Sequence, residues 1–547
     1  MPAYYRQFFP YEEFMAWLAY GNGERGGGGG GVGGVVGAHR LSLSPGTPLF
    51  LITPTLFFPS LRLQAPARRP VLPAAPGAVL HPGRRYLCAV PVLQGEAPEK
   101  KRRERGRGGS VSRSLSHPLL ILSSLSSQSS PHCAPHTVPS PLPPTPQDAA
   151  SLRRAILARI PAKIDIGPVY TVDPARRAAY ASGSATTAAA AGAAGAAPSG
   201  FAPVERELVF DVDLTDYDDV RTCGSGGHIC ARCWPLMAAA VAVVDAALDQ
   251  DFGFAHRLWV FSGRRGVHCW VSDARARGLT DEARSAVAAY LSLYKGVEEG
   301  VARLALPPLA HSTTPLHPSV DRAAALLDGL WTSSILPAQR WLDGPATWDT
   351  VLAHVPDEAV KARLVARWTR EGPIAPDNDG AVSVRRWGEL EAELAREARP
   401  VAGDARNPAA REHKAALGRA CLRAVLAVAY PRLDVDVSKK RNHLLKAPFC
   451  VHPKTGKVCV PFEAAEAASF DPDGVPTVGD LVADAKKSKG GGGGGAAAGG
   501  APGWAGSALE PAIRFFADKF LAPLAVDSKA ALAAKAKDAA AAPTMAW

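Results

Sequence analysis

Apolar residues recur at every second position through Leu208, Phe210, Val212 and Leu214, interleaved with Val209, Asp211 and Asp213. That period of two predicts a half-buried strand with both carboxylates on one face. RLWVFSGRRGVHCWVSD predicts two further strands joined at Gly263 to Gly266, with Arg264 and Arg265 at the turn. Ile164, Ile166 and Val169 predict a strand that carries Lys163 and Asp165. In RLDVDVSKK, Leu433, Val435 and Val437 face one way and Asp434 and Asp436 the other, predicting a second acidic strand. Helical spacing is expected at Tyr11 to Tyr20, from Ser151, at Trp234 to Asp251 and through residues 276–429, with an amphipathic helix in SALEPAIRFFADKFLAPLA.

Between these periodic stretches lies sequence too biased to bury a core. Residues 21–150 open on poly-Gly, hold a basic cluster at Lys100 to Arg107 and end Ser- and Pro-rich. They are expected to be a disordered insert, of a composition that suits translated intron sequence. The expected organisation is therefore a first helix (1–20), the insert (21–150), a sheet core (151–275), an all-helical subdomain (276–429), the second acidic strand (430–483), a Gly/Ala-rich linker (484–506) and a C-terminal helix and tail (507–547). The fold class is mixed α/β (α+β). A net charge of +11 over 547 residues suits a polyanionic partner without requiring one. Nine Cys with no paired framework favour a reducing compartment. No secretory signal is evident, and the apolar run Pro48 to Leu63, broken by Pro54 and Pro59, is too short to span a bilayer, so a soluble protein without membrane attachment is expected.

The candidate chemistry starts at Asp211 and Asp213. An i, i+2 pair on a strand sets two carboxylates about 7 Å apart at the backbone, able to converge on divalent ions. Two exposed acids on a wet edge strand account for a lone DxD equally well. Next to it, Cys223, His228, Cys230 and Cys233 follow C-x4-H-x-C-x2-C, a spacing that suits a zinc knuckle, the alternative being small buried apolar thiols. With Asp434, the acids would make a cage for a pair of Mg²⁺ or Mn²⁺ ions. Ser262, Arg264, Arg265 and His268, with His443, Lys446, His452 and Lys454, supply the cationic and hydrogen-bonding groups that phosphoryl transfer needs.

LVFDVDLTDYDDVR, SGRRGVHCWV and RLDVDVSKKRNHLLKAPFCVHPKTGKVCVP closely resemble the small, catalytic subunit of archaeal and eukaryotic DNA primase, and KIDIGPVY and YYRQFFPYEEFMAWLAYG fit it too. The resemblance covers most of residues 1–20 and 157–470. It implies a primase-type fold with a zinc knuckle beside the active site, and synthesis of short RNA primers on single-stranded DNA from ribonucleoside triphosphates. By motif, Asp211, Asp213 and Asp434 would be the catalytic metal ligands, with Asp436 a neighbouring acid the family does not require. Ser262, Arg264, Arg265, His268, His443, Lys446 and His452 would grip the incoming nucleotide, with Lys163 contributing. The implied partners are the large primase subunit, which carries its own iron-sulfur cluster, and DNA polymerase α, in the nucleus. Two departures stand out. Cys223 is followed by Gly224 where eukaryotic members often have adjacent Cys, so His228 would be the fourth zinc ligand. The family's strand segment after the first helix, with an active-site glutamate, is reduced to AHRLSLS, which keeps His39 and Arg40 only. Competing readings are another two-metal enzyme, such as a nuclease or a primase-like repair polymerase, and a non-catalytic zinc-containing nucleic-acid-binding subunit.

Overall fold

In the computed structural model, the residues described are 1–20, 38–44, 146, 148–174, 201–298, 301–306, 314–372, 374–375, 378–490 and 502–541. The strands are β1 (Ala38–Ser44), β2 (Lys163–Tyr170), β3 (Pro203–Glu205), β4 (Leu208–Asp213), β5 (Arg257–Phe261), β6 (Gly266–Val271), β7 (Tyr294–Glu298), β8 (Val301–Leu304), β9 (Leu445–Lys446) and β10 (Pro461–Phe462). One antiparallel sheet runs β10-β5-β6-β4; in the other, β2 pairs with β1, β3 and β9. The expected β5–β6 hairpin is present, with Val260 opposite His268, and β4 lies along β6 with Asp211 opposite His268 and Asp213 opposite Gly266.

Two glycines let the turn sit where it does. Gly263 has φ +83°, and a Cβ there would come within 2.7 Å of the His452 Cβ. At Gly266 a Cβ would overlap the Val212 carbonyl, so only hydrogen allows β6 to close on β4 at that register. The helix Trp234–Gln250 buries Leu236, Met237, Val241, Val244 and Leu248 in the core. The helix Tyr11–Ala19 buries Trp17 against Trp270 and, from the C-terminal segment, Phe516 and Phe520. That segment therefore covers the core.

Four expectations change. Ala38–Ser44, inside the expected insert, is a strand paired antiparallel with β2; the basic cluster at Lys100 to Arg107 and most of residues 21–150 lie outside the described residues. Residues 276–429 are not all-helical, since β7 and β8 form a hairpin there, and they share one compact unit with the sheets. The expected linker is helical at its start, as the helix Val478–Gly490 runs into it, and Trp504 near its end is buried in the core. Finally, Asp434 is not on a strand. Its carboxylate accepts from the Asp436 N–H at 3.1 Å and caps a short helix, Val435–Lys439. An N-capping Asp beats a two-residue alternation when one turn of helix also buries Val437 and Ser438.

Candidate active site

β4 is the edge strand of its sheet, and its outer edge positions the third acid. The Asp434 N–H donates to the Asp211 carbonyl at 3.0 Å, and the Ser438 hydroxyl donates to the Val209 carbonyl at 2.6 Å. These two bonds hold the Asp434 segment alongside β4. Asp211, Asp213 and Asp434 consequently share one cavity wall, despite their separation along the chain.

That cavity, of about 330 Å³, is also lined by Lys163, Ser262, Arg264, Arg265, His268, His443, Lys446 and His452. All eleven residues that the resemblance assigns to the catalytic cations or the nucleotide line it. Lys454 is not among the lining residues, and Asp436, exposed, pairs with Lys439 at 3.1 Å. The Ser262 hydroxyl accepts from the Gly266 N–H at 3.1 Å, while Lys446 Nζ donates to the Ser262 carbonyl and Thr455 Oγ1 to the Gly263 carbonyl, at 2.8 and 2.7 Å. The arginine turn is thus pinned from two sides. Arg264 lies against the Cys-rich loop, where a Cβ on Gly227 would overlap its guanidinium. Lys163 pairs with Asp165 at 2.9 Å.

The cavity sets acidic and basic groups against each other, with Arg265 Nε 2.6 Å from Asp213 Oδ1. Burial, then repulsion from Asp213 and Asp434, raises the Asp211 carboxyl to about 7, with Lys446 opposing. Carboxylates held together at that cost are hard oxygen donors suited to Mg²⁺ or Mn²⁺, whose charge would relieve the repulsion. His268, buried with Nε2 3.7 Å from Asp211, is pushed down to about 3 by burial and then by Lys446 and Lys163. Burial, Lys446, Arg264 and Arg265 lower His452 to about 4. Both imidazoles are therefore neutral at physiological pH, and the positive charge rests on the Lys and Arg side chains.

A pH dependence follows. Cation binding requires ionised Asp211, so Mn²⁺ affinity is expected to fall by up to about tenfold per pH unit as pH drops below about 7. Calorimetric titrations at pH 6, 7 and 8 would show this; equal affinities would contradict it. For the cation-free protein the raised carboxyl acts oppositely, contributing stability at low pH that is lost as pH rises through about 7.

Beside the cavity, Cys223, Cys230 and Cys233 bring their sulfurs together, with Cys233 Sγ 3.0 Å from that of Cys223 and 3.6 Å from that of Cys230. Tetrahedral Zn–S bonds of about 2.3 Å set sulfurs about 3.7 Å apart, so the three thiols fit a metal with little rearrangement. His228 does not join them. Its ring rests on Gly224, where a Cβ would overlap it, and its carbonyl accepts from Arg221 at 2.8 Å.

Several contributors carry no obvious sequence signal. Gln339, fully buried, accepts from the Thr222 N–H at 2.9 Å and donates to Cys223 Sγ at 3.5 Å, fastening the thiol loop to the helical region. Arg432 stacks on Tyr294, 4.0 Å from its centroid, and donates to the Asp216 carbonyl at 2.6 Å. Thr215, which donates to Asp213 from both N–H and hydroxyl, is the exception, since an Asx turn at Asp213 makes it the i+2 partner.

Residues 210–464 match the family model described as DNA primase small subunit. Over 335 residues the chain is 38% identical to the Drosophila melanogaster DNA primase small subunit, an alignment covering 61% of this chain and 68% of that one. The chain belongs to the DNA primase small-subunit family. The Saccharomyces cerevisiae small subunit is 35% identical over 329 residues, 60% of this chain and 70% of its own. With the Schizosaccharomyces pombe small subunit the figures are 36% over 337 residues, 62% and 66%. The chain thus spans about two thirds of the length of its small-subunit relatives, and the family match contains all three acids, the arginine turn and the three thiols.

Proposed function

We propose that this chain is the catalytic subunit of a DNA primase, making short RNA primers on single-stranded DNA from ribonucleoside triphosphates. The observation that carries the reading is one cavity lined both by Asp211, Asp213 and Asp434 and by Arg264, Arg265 and Lys446. Two divalent cations held by the three acids would supply charge stabilisation and a more acidic attacking hydroxyl. The chain's own residues then do the positioning. Arg264, Arg265 and Lys446 neutralise phosphate oxygens, and neutral His268 and His452 offer hydrogen bonds without adding charge. Ser262 keeps its hydroxyl on the turn and so fixes the spacing of the two arginines.

The three thiols would hold a structural Zn²⁺ that steadies the loop against which Arg264 packs. Assembly with a large primase subunit and DNA polymerase α, in the nucleus, completes the proposal. The test is incorporation of labelled ribonucleotides on a single-stranded template without primer. Oligoribonucleotides from the wild-type chain and none from the Asp211→Asn/Asp213→Asn variant are expected. No product from the wild type in complex with the large subunit, or equal product from the variant, would overturn the reading.

A further inference from the structure

The contacts of Asp213 point to a step that precedes chemistry. Its Oδ1 accepts from the Thr215 N–H at 2.9 Å, the Thr215 hydroxyl at 2.8 Å and Arg265 Nε at 2.6 Å, and its Oδ2 lies 2.8 Å from the same Nε. An ionised carboxylate offers about four lone-pair sites. The two Thr215 donors and the Arg265 Nε–H crowd Oδ1, and the same N–H spans to Oδ2, so a cation approaching the edge of the carboxylate between its two oxygens meets the guanidinium.

Of the two donors, Thr215 is fixed, since it belongs to the turn that ends β4 and its N–H bond is made by the backbone. Arg265 sits on a long flexible side chain and faces the same cavity as Arg264, Lys446 and His452. A divalent cation about 2.1 Å from that edge of the Asp213 carboxylate would stand where the guanidinium now does, and the two like charges could not share the site. The phosphates of an incoming nucleotide are an anionic destination for the displaced guanidinium, in competition with Asp216 and Asp218, whose charges also act on it.

We propose that Arg265 is an exchangeable counter-ion of Asp213, released by cation binding to the nucleotide phosphates, so that cation and triphosphate bind cooperatively. The proposal rests on the primase reading for the nucleotide and adds an order to its assembly. The exchange within the protein can be read from either ligand with variants of Arg265 and Asp213, and the coupling between the two ligands would be the same factor in both directions.

Mn²⁺ titration followed by electron paramagnetic resonance, with full-length chain and no nucleic acid or nucleotide, tests it. Arg265→Ala is expected to bind Mn²⁺ about tenfold more tightly than wild type, whereas Arg264→Ala, which removes the same charge one residue away, changes affinity by less than about threefold. Arg265→Gln, closer in shape, guards against a folding defect and should behave as Arg265→Ala does. Conversely, in EDTA, Asp213→Asn should bind a ribonucleoside triphosphate more tightly than wild type and than Asp211→Asn. Equal gains in Mn²⁺ affinity from the Arg264 and Arg265 variants, or none from either, would overturn the exchange. Mn²⁺ binding that needs Asp211 and Asp213 but ignores Arg265 would overturn the exchange alone. Binding indifferent to both acids would remove the cation site on which the primase reading stands.

Discussion

Asp434→Asn is expected to lower ribonucleotide incorporation about a thousandfold while leaving the fold intact. The bond that joins this segment to β4 comes from the Asp434 backbone N–H, which the substitution keeps. The side chain's structural duty is to cap the helix Val435–Lys439 by accepting from the Asp436 N–H, and Asn caps as well as Asp does. What Asn removes is one negative charge from a wall of three. Loss of one preorganised electrostatic contact in a desolvated site costs about 4 kcal/mol of transition-state stabilisation, and each 1.36 kcal/mol is about tenfold in rate. The denaturation midpoint should match that of the wild type. Retention of activity within tenfold would mean that Asp434 only packs beside the site.

Glu207→Ala should instead cost stability, by about 3–5 kcal/mol. Glu207 is fully buried at the start of β4, bonded to Arg206 at 2.7 Å and to the hydroxyl of Tyr20. Around it stand Arg206 and Arg284, both nearly inaccessible, with Arg277 stacked 3.8 Å from the Tyr20 centroid. Arg284 donates to the Glu207, Ala276 and Arg277 carbonyls, and burial followed by repulsion from Arg206 lowers it to about 10, still charged at neutral pH. Removing the carboxylate leaves buried guanidinium charge uncompensated. Against a total stability of about 5–15 kcal/mol, such a loss should be evident in urea denaturation. A change below about 1 kcal/mol would show that the carbonyls alone satisfy these arginines. Activity should fall too, because Arg206 Nε also reaches the His443 carbonyl at 3.4 Å.

This network shows where the sequence is hard to read. Arg and Glu are rarely fully buried, so RELVF at 206–210 reads as a polar lead-in to a strand, not as a buried cluster. Partners of Glu207 come from Tyr20 at the end of the helix Tyr11–Ala19, from β4's own start and from the helix Asp281–Leu291, which only the fold brings together. By contrast, Leu208–Asp213 and the β5–β6 hairpin are plain in the sequence because their period and turn glycines act locally. Asp434 falls between these cases: its place beside Asp211 was anticipated, its helix was not, since the alternation of apolar residues and Asp from Leu433 to Val437 satisfies a strand or a capped helical turn alike. β1 was missed because its pairing with β2 lies across a long compositionally biased interval, and His228 was expected among the thiols but does not join them, because ligand spacing does not say which way a ring points.

The central claim is that three acids from two separate chain segments hold cations opposite a triphosphate. Anomalous diffraction from crystals of the chain grown with Mn²⁺ and a non-hydrolysable ribonucleoside triphosphate measures this directly. Manganese peaks touching Asp211, Asp213 and Asp434, with the phosphates against Arg264, Arg265 and Lys446, are predicted. Manganese bound away from Asp434, or phosphates outside the arginine side of the cavity, would contradict it.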